Sequence, residues 1–112
     1  MKKYEVWLAD LDPKFGTEAG KVRPVVIIQT NFLTGFHPST IVCPITTNVR
    51  PGASLLRVHL QKGDASLSLD SDIMVDQIRA IDNKRFVKKL GDLPAPHRQK
   101  LDENLKVMLD LP

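Results

Sequence analysis

The chain has 112 residues, 42% of them hydrophobic and 26% charged, with sixteen Lys and Arg against thirteen Asp and Glu for a formal net charge of +3. That length holds one hydrophobic core and predicts a single domain over 1–112, without solenoid repeats or low-complexity tracts. No run approaches the roughly 18 apolar residues of a membrane span, the start lacks the unbroken apolar stretch of a signal peptide, and the lone cysteine, Cys43, excludes an internal disulfide, so a cytoplasmic protein with no membrane association is expected.

"YEVWLADL" alternates as a half-buried strand does, and Pro13 ends it. A loop with glycines at both ends follows over 14–22. "PVVIIQ" is short and β-branched, which predicts a strand buried on both faces with Pro24 at its start, since proline cannot donate to a ladder. After the loop "NFLTGFHPS" comes a strand, "TIVCPITT", whose internal Pro44 predicts an edge position or a bulge. "NVRPGAS" turns the chain, "LLRVHL" alternates again, and "DIMVDQIRAI" and "FVKKL" read as two more strands. Pro94 and Pro96 suit the first turn of a helix in which Leu101, Leu105, Met108 and Leu109 share a face. The predicted fold is mainly β with a C-terminal helix: a small, antiparallel β-barrel.

Zinc-ligand spacing, nucleotide-binding glycine motifs and a Gly-x-Ser-x-Gly elbow are all absent from the sequence. Catalysis would therefore fall to loop residues. Arg23 poses the sharpest question, because it stands beside Pro24 at the entrance to a buried strand. It is either half of a surface ion pair, with Glu18 as partner, or a charge held rigidly at the rim of the fold. Arg79, Lys84, Arg85, Lys88 and Lys89 are opposed only by Asp82. They make either a solvated strand edge or a phosphate-facing patch.

"GTEAGKVRPVVIIQ", then "VCPITTN", then "DQIRAID" and "KRF", resemble in order and spacing the MazF/PemK family of toxin endoribonucleases from Tyr4 to the terminal helix. The resemblance implies an SH3-like barrel of the CcdB/MazF plasmid-maintenance type that dimerises, cuts single-stranded RNA without a metal or other cofactor, and is held by a labile MazE-like antitoxin. It implies Arg23 and Thr46 as the catalytic pair, with Glu18 and Thr17 in the loop beside them. Asp76 and Gln77 match positions lining the RNA surface, to which Lys21, Thr47, Asn48 and Arg79 are added as RNA contacts. His37 has no counterpart in the pattern.

Metal-free cleavage uses the RNA's own 2′-OH and leaves a 2′,3′-cyclic phosphate and a 5′-OH. Arg23 suits the phosphorane, since a guanidinium presents a charged fork to two oxygens. Thr46 can donate to a phosphate oxygen, and Glu18 either orients Arg23 or takes the 2′-OH proton. An arginine normally titrates far above the range of a general base, and nothing in the sequence lowers that value. Phe15, Phe32 and Phe36 sit in loops flanking the Arg23 strand, with Lys14, Lys21 and Arg50 on adjacent connections. The phenylalanines either stack on bases or make core or dimer contacts. The dimer contact falls to the terminal helix or to the strand around Pro44. Two rival functions keep the fold. A gyrase poison of the CcdB type would need a tryptophan near the C-terminus, whereas the only one here is Trp7. A non-catalytic nucleic-acid-binding barrel would bind with steep salt dependence and no cleavage.

Overall fold

The computed structural model describes residues 1–13 and 15–112. Among these, the strands are β1 (Glu5–Asp10), β2 (Val22–Ile27), β3 (Ser39–Thr46), β4 (Arg57–Leu60), β5 (Ser71–Met74), β6 (Arg79–Asp82) and β7 (Phe86–Asp92), followed by the helix α1 (Ala95–Met108). They pair antiparallel in the order β4-β5-β3-β2-β1-β7, with β6 also beside β3.

β3 is the centre of the sheet. β2 lies on one side of it, while β6 pairs with Ser39–Val42 and β5 with Ile45 and Thr46 on the other. Pro44 is therefore neither on an edge strand nor at a bulge, contrary to expectation. The Ile28 N–H donates to the Ile41 carbonyl, so the odd-numbered residues of β3 face β2 and Pro44 faces away. It falls in the gap where β6 ends and β5 begins, a place that needs no donor. The same crowding splits "DIMVDQIRAI", expected as one strand. It becomes β5, a 3-10 turn at Val75–Gln77, and β6, because two short strands share one side of β3. The turn buries Val75 and sends Asp76 outward.

Hydrogen bonding does not close the sheet, since β4 and β7 end the ladder. The barrel-like enclosure is completed by packing. The tight turn at Asp64–Ser66 lies against β7, where a Cβ on Gly91 would meet the Ala65 carbonyl carbon at 2.8 Å. Alternation divides β2 between two cores, confirming burial on both faces. Val26 joins Cys43, Ile45, Ile73 and Leu101 of the helix, while Val25 and Ile27 join Ala9, Val42, Met74 and Ile81 on the opposite face. The helix starts at Pro94 and Pro96 as predicted. Leu101 is fully buried and Leu105 and Met108 pack on the core, but Leu109 falls past the last turn and is exposed. Asn104 takes a buried place on that face and donates to the Ser54 and Arg57 carbonyls. No described helix is long and apolar enough to cross a membrane.

Candidate active site

β2 and β3 part company at Pro24. The last register pair between them is Val25 with Pro44. By the alternation set at Ile28, Pro24 faces β3 without an N–H to offer, so the ladder ends there. β3 continues toward β5 while the first residues of β2 stay with β1, Arg23 opposite Ala9. Arg23 and Thr46 occupy the same face as Val25 and Val42, so both emerge at the rim of the second core. They line one cleft of about 710 Å³.

Arg23 is half-buried, and its Nε donates to the Gly20 carbonyl at 3.0 Å. That bond fixes the guanidinium plane and leaves both Nη groups for a ligand. Burial lowers the Arg23 pKa from its usual value, opposed by the charge of Asp12, which raises it. Nothing near Arg23 in the sequence implies such a shift; desolvation supplies the reason. Among the described residues no ion pair joins Arg23 to Glu18. The hydrogen bond that holds Arg23 in place is to backbone, at Gly20.

The backbone that orients Arg23 is itself held from both sides. Gln77 accepts from the Ala19 N–H and donates to the Thr17 carbonyl, each at 3.2 Å. Arg79 Nη1 donates to the Ala19 carbonyl at 3.2 Å. At the other stem the Asp12 carboxylate accepts from the Lys21 N–H, and Leu11 N–H donates to the Lys21 carbonyl. Lys21 sits at φ +56°, a left-handed turn that an L-residue enters only when its surroundings demand it. The 3-10 turn after β5 thus has a positional purpose, because it brings Gln77 under the loop.

Across the cleft, the Thr46 hydroxyl oxygen accepts from the Asn48 N–H at 3.1 Å, which leaves its own proton to point elsewhere. Beneath this turn Asp72 is fully buried. Its Oδ2 accepts from the Arg50 N–H at 2.8 Å and from Arg57 Nη1 at 3.2 Å, and its Oδ1 lies 2.6 Å from His59 Nδ1. Arg57 Nη1 also donates to the Asn48 carbonyl.

Of the sequence candidates, Arg23, Thr46, Glu18, Thr17, Lys21, Asn48, Asp76 and Gln77 are gathered in the cleft, although Gln77 is engaged with the loop backbone. Thr47 turns instead to a neighbouring pocket of about 300 Å³ floored by Leu8, Pro24 and Leu67. Arg79 lies outside the cleft wall, as a brace behind it. The basic segment is likewise dispersed: Arg85 donates to the Asp10 and Asp12 carbonyls, and Lys89 pairs with Glu5 and Asp92. Phe15, Phe32 and Phe36 are exposed, so none is a core residue, and Lys14 lies outside the described residues. His37 bonds Ser39 on the far loop. Sequence reasoning missed Asp12, Arg57 and Asp72. The signal for the last two was a pair of opposite charges in two short neighbouring strands, Arg57 in β4 and Asp72 in β5.

The fold is a small antiparallel sheet with a terminal helix, and one cleft gathers its polar side chains with an arginine and a threonine at the rim. Residues 2–109 match the family described as PemK-like, MazF-like toxin of type II toxin-antitoxin system. The chain belongs to that family. It is 35% identical over 111 residues to Endoribonuclease EndoA of Bacillus subtilis (strain 168), across 99% of this chain and 96% of that protein. Its structure is similar to the toxin MazF-mt6 of Mycobacterium tuberculosis, with a TM-score of 0.80 at 26% identity over 96% of this chain and 98% of the other. It also shares the fold of MazF from Deinococcus radiodurans, with a TM-score of 0.83 at 20% identity over 99% and 97% of the two chains.

Proposed function

We propose that the chain is the toxin of a toxin–antitoxin pair, a metal-independent endoribonuclease that cuts single-stranded messenger RNA at preferred sequences. The observation that carries this reading is the pairing of Arg23, anchored through Nε to Gly20, with the Thr46 hydroxyl across one cleft. The scissile phosphate sits between them. Arg23 Nη groups take up charge on the non-bridging oxygens as the 2′-oxygen attacks, an arrangement set before the reaction begins. Thr46 donates to one of the same oxygens. With orientation of Arg23 assigned to Gly20, Glu18 is the cleft carboxylate for the other task, taking the 2′-OH proton. Proton return to the departing 5′-oxygen falls to a cleft donor, and the lowered Arg23 pKa is in the direction that favours such a role.

The whole of 1–112 serves as one toxin domain in the cytoplasm, acting as a homodimer and silenced by a MazE-like antitoxin. Pro44 lies inside the sheet, which favours the helix as the dimer contact. An apolar trough of Ile28, Ile41, Ile78, Leu105 and Leu109 runs along that helix.

Wild type and Arg23→Ala are incubated with long single-stranded RNA in excess EDTA, and fragment ends are identified by mass. Discrete cuts with cyclic-phosphate ends, lost in the folded variant, are expected. Intact RNA across several sequences, with antitoxin shown to be absent, refutes the reading.

A further inference from the structure

We infer that the buried Arg57–Asp72 pair is a positioning device for Thr46, acting through the turn that follows β3. The inference rests on the ribonuclease reading above. Thr46 stands opposite Asp72, and His59 opposite Asp72 from the other side, so three side chains form a row across β3, β5 and β4. Only the middle one is fully buried. A buried carboxylate is costly unless its charge is paired and its oxygens are hydrogen-bonded, and an apolar pair of similar size would serve stability as well. What an apolar pair would not do is hold backbone.

Asp72 Oδ2 receives the Arg50 N–H, and Arg57 Nη1 reaches both that oxygen and the Asn48 carbonyl. The turn is gripped at Asn48 and Arg50, on either side of Val49. Asn48 is the residue whose N–H fixes the Thr46 hydroxyl oxygen. The chain of contacts therefore runs from Asp72 through Arg57 to the Asn48 carbonyl, and from the N–H of the same residue on to Thr46 Oγ1. Asp72 is fully buried and does not line the cleft, and Arg57, whose edge does, acts on Thr46 through its two Nη1 bonds. His59, partly exposed, occupies Oδ1 and leaves Oδ2 to the turn.

The test replaces the pair together, Arg57→Met with Asp72→Leu, so that no charge is left buried and alone. Cleavage of a fluorogenic single-stranded RNA is measured at varied substrate, in the presence and absence of Thr46→Val. A melting curve confirms folding. Expected is a loss of roughly 30-fold or more in kcat, of the order a misplaced group costs, with KM within about threefold. Thr46→Val should then cost far less in the pair variant than in wild type, because the hydroxyl is already misaimed. An unchanged kcat, a rise confined to KM, or a full and independent Thr46→Val penalty overturns the inference. Should the pair variant not fold, Arg57→Met with Asp72→Asn, which keeps a polar partner for His59 and leaves no buried charge alone, goes through the same cycle and is judged by the same outcomes. Absence of cleavage by the wild type overturns the ribonuclease reading and this inference together, whereas additive losses in an active enzyme overturn this inference alone.

Discussion

Gln77→Leu separates a residue that lines RNA from one that shapes the loop beside it. The side-chain amide makes two hydrogen bonds, to the Ala19 N–H and the Thr17 carbonyl, both at 3.2 Å. Leucine keeps the volume and removes both. Each bond is worth about 1 kcal/mol net, and the Ala19 N–H, on a buried residue, adds a penalty when left unpaired. A loss of about 3 kcal/mol or more in loop stability follows, with Arg79 still holding the Ala19 carbonyl. Because Gly20 is next in line and accepts from Arg23, a shift of about 1 Å there would cost roughly 100-fold in kcat. Steady-state cleavage of a short fluorogenic RNA, with amide exchange at Ala19 followed in parallel, reads both effects. We expect kcat to fall, KM to hold within about threefold, and Ala19 exchange to quicken. A raised KM with unchanged kcat would mean that Gln77 meets RNA directly, and the clamp argument would be wrong.

Arg23→Lys keeps the charge but loses the fork and the Nε bond, so cleavage should drop roughly 100-fold while the melting temperature stays within a few degrees; near-normal turnover would show that charge alone suffices. In Glu18→Gln, kcat should fall roughly 100-fold, whereas an unchanged kcat assigns the base elsewhere. Gly91→Ala brings a Cβ to 2.8 Å from the Ala65 carbonyl carbon, and the neighbour is backbone. It should therefore cost about 1–3 kcal/mol in urea unfolding. Tyr4, the sole tyrosine, is pushed up to about 12 by burial and then by its bond to Asp102. An unfolded chain ionises it near 10, so its stabilising contribution is intact below about pH 10 and declines as pH rises toward 12. Tyrosinate absorbance and urea midpoints at pH 8 and 10.5 should show that decline.

The apolar strands, the terminal helix and the order of the motifs were legible because they are local. "PVVIIQ" is buried on both faces for any register that keeps it central, and the spacing of Leu101, Leu105 and Met108 needs only a helix. Pro44 and "DIMVDQIRAI" were misread because their meaning lies in neighbours far along the chain. A proline is harmless where one partner strand ends and another begins, and nothing near residue 44 announces that. The same holds within the site. Arg23 and Thr46 stood out by motif, whereas the bonds of Gln77 and Arg79 to the loop backbone appear only once the 3-10 turn is in place. Arg57 and Asp72 gave no sign of each other in sequence, because their pairing exists only once β4 and β5 lie side by side.

Cys43 lies opposite Val26 in the heart of the sheet, and burial pushes its thiol up to about 12, helped by the charge of Asp76. Thiol reagents attack the thiolate, which this position neither forms nor exposes while β2 and β3 stay joined. The protein therefore carries a chemical clock: native samples should resist labelling at neutral pH, and the slow appearance of label counts how often the sheet opens. It also means that a cysteine introduced at the cleft rim would be the reactive one, so a single dye could report on RNA arriving at Arg23 without removing anything from the natural sequence.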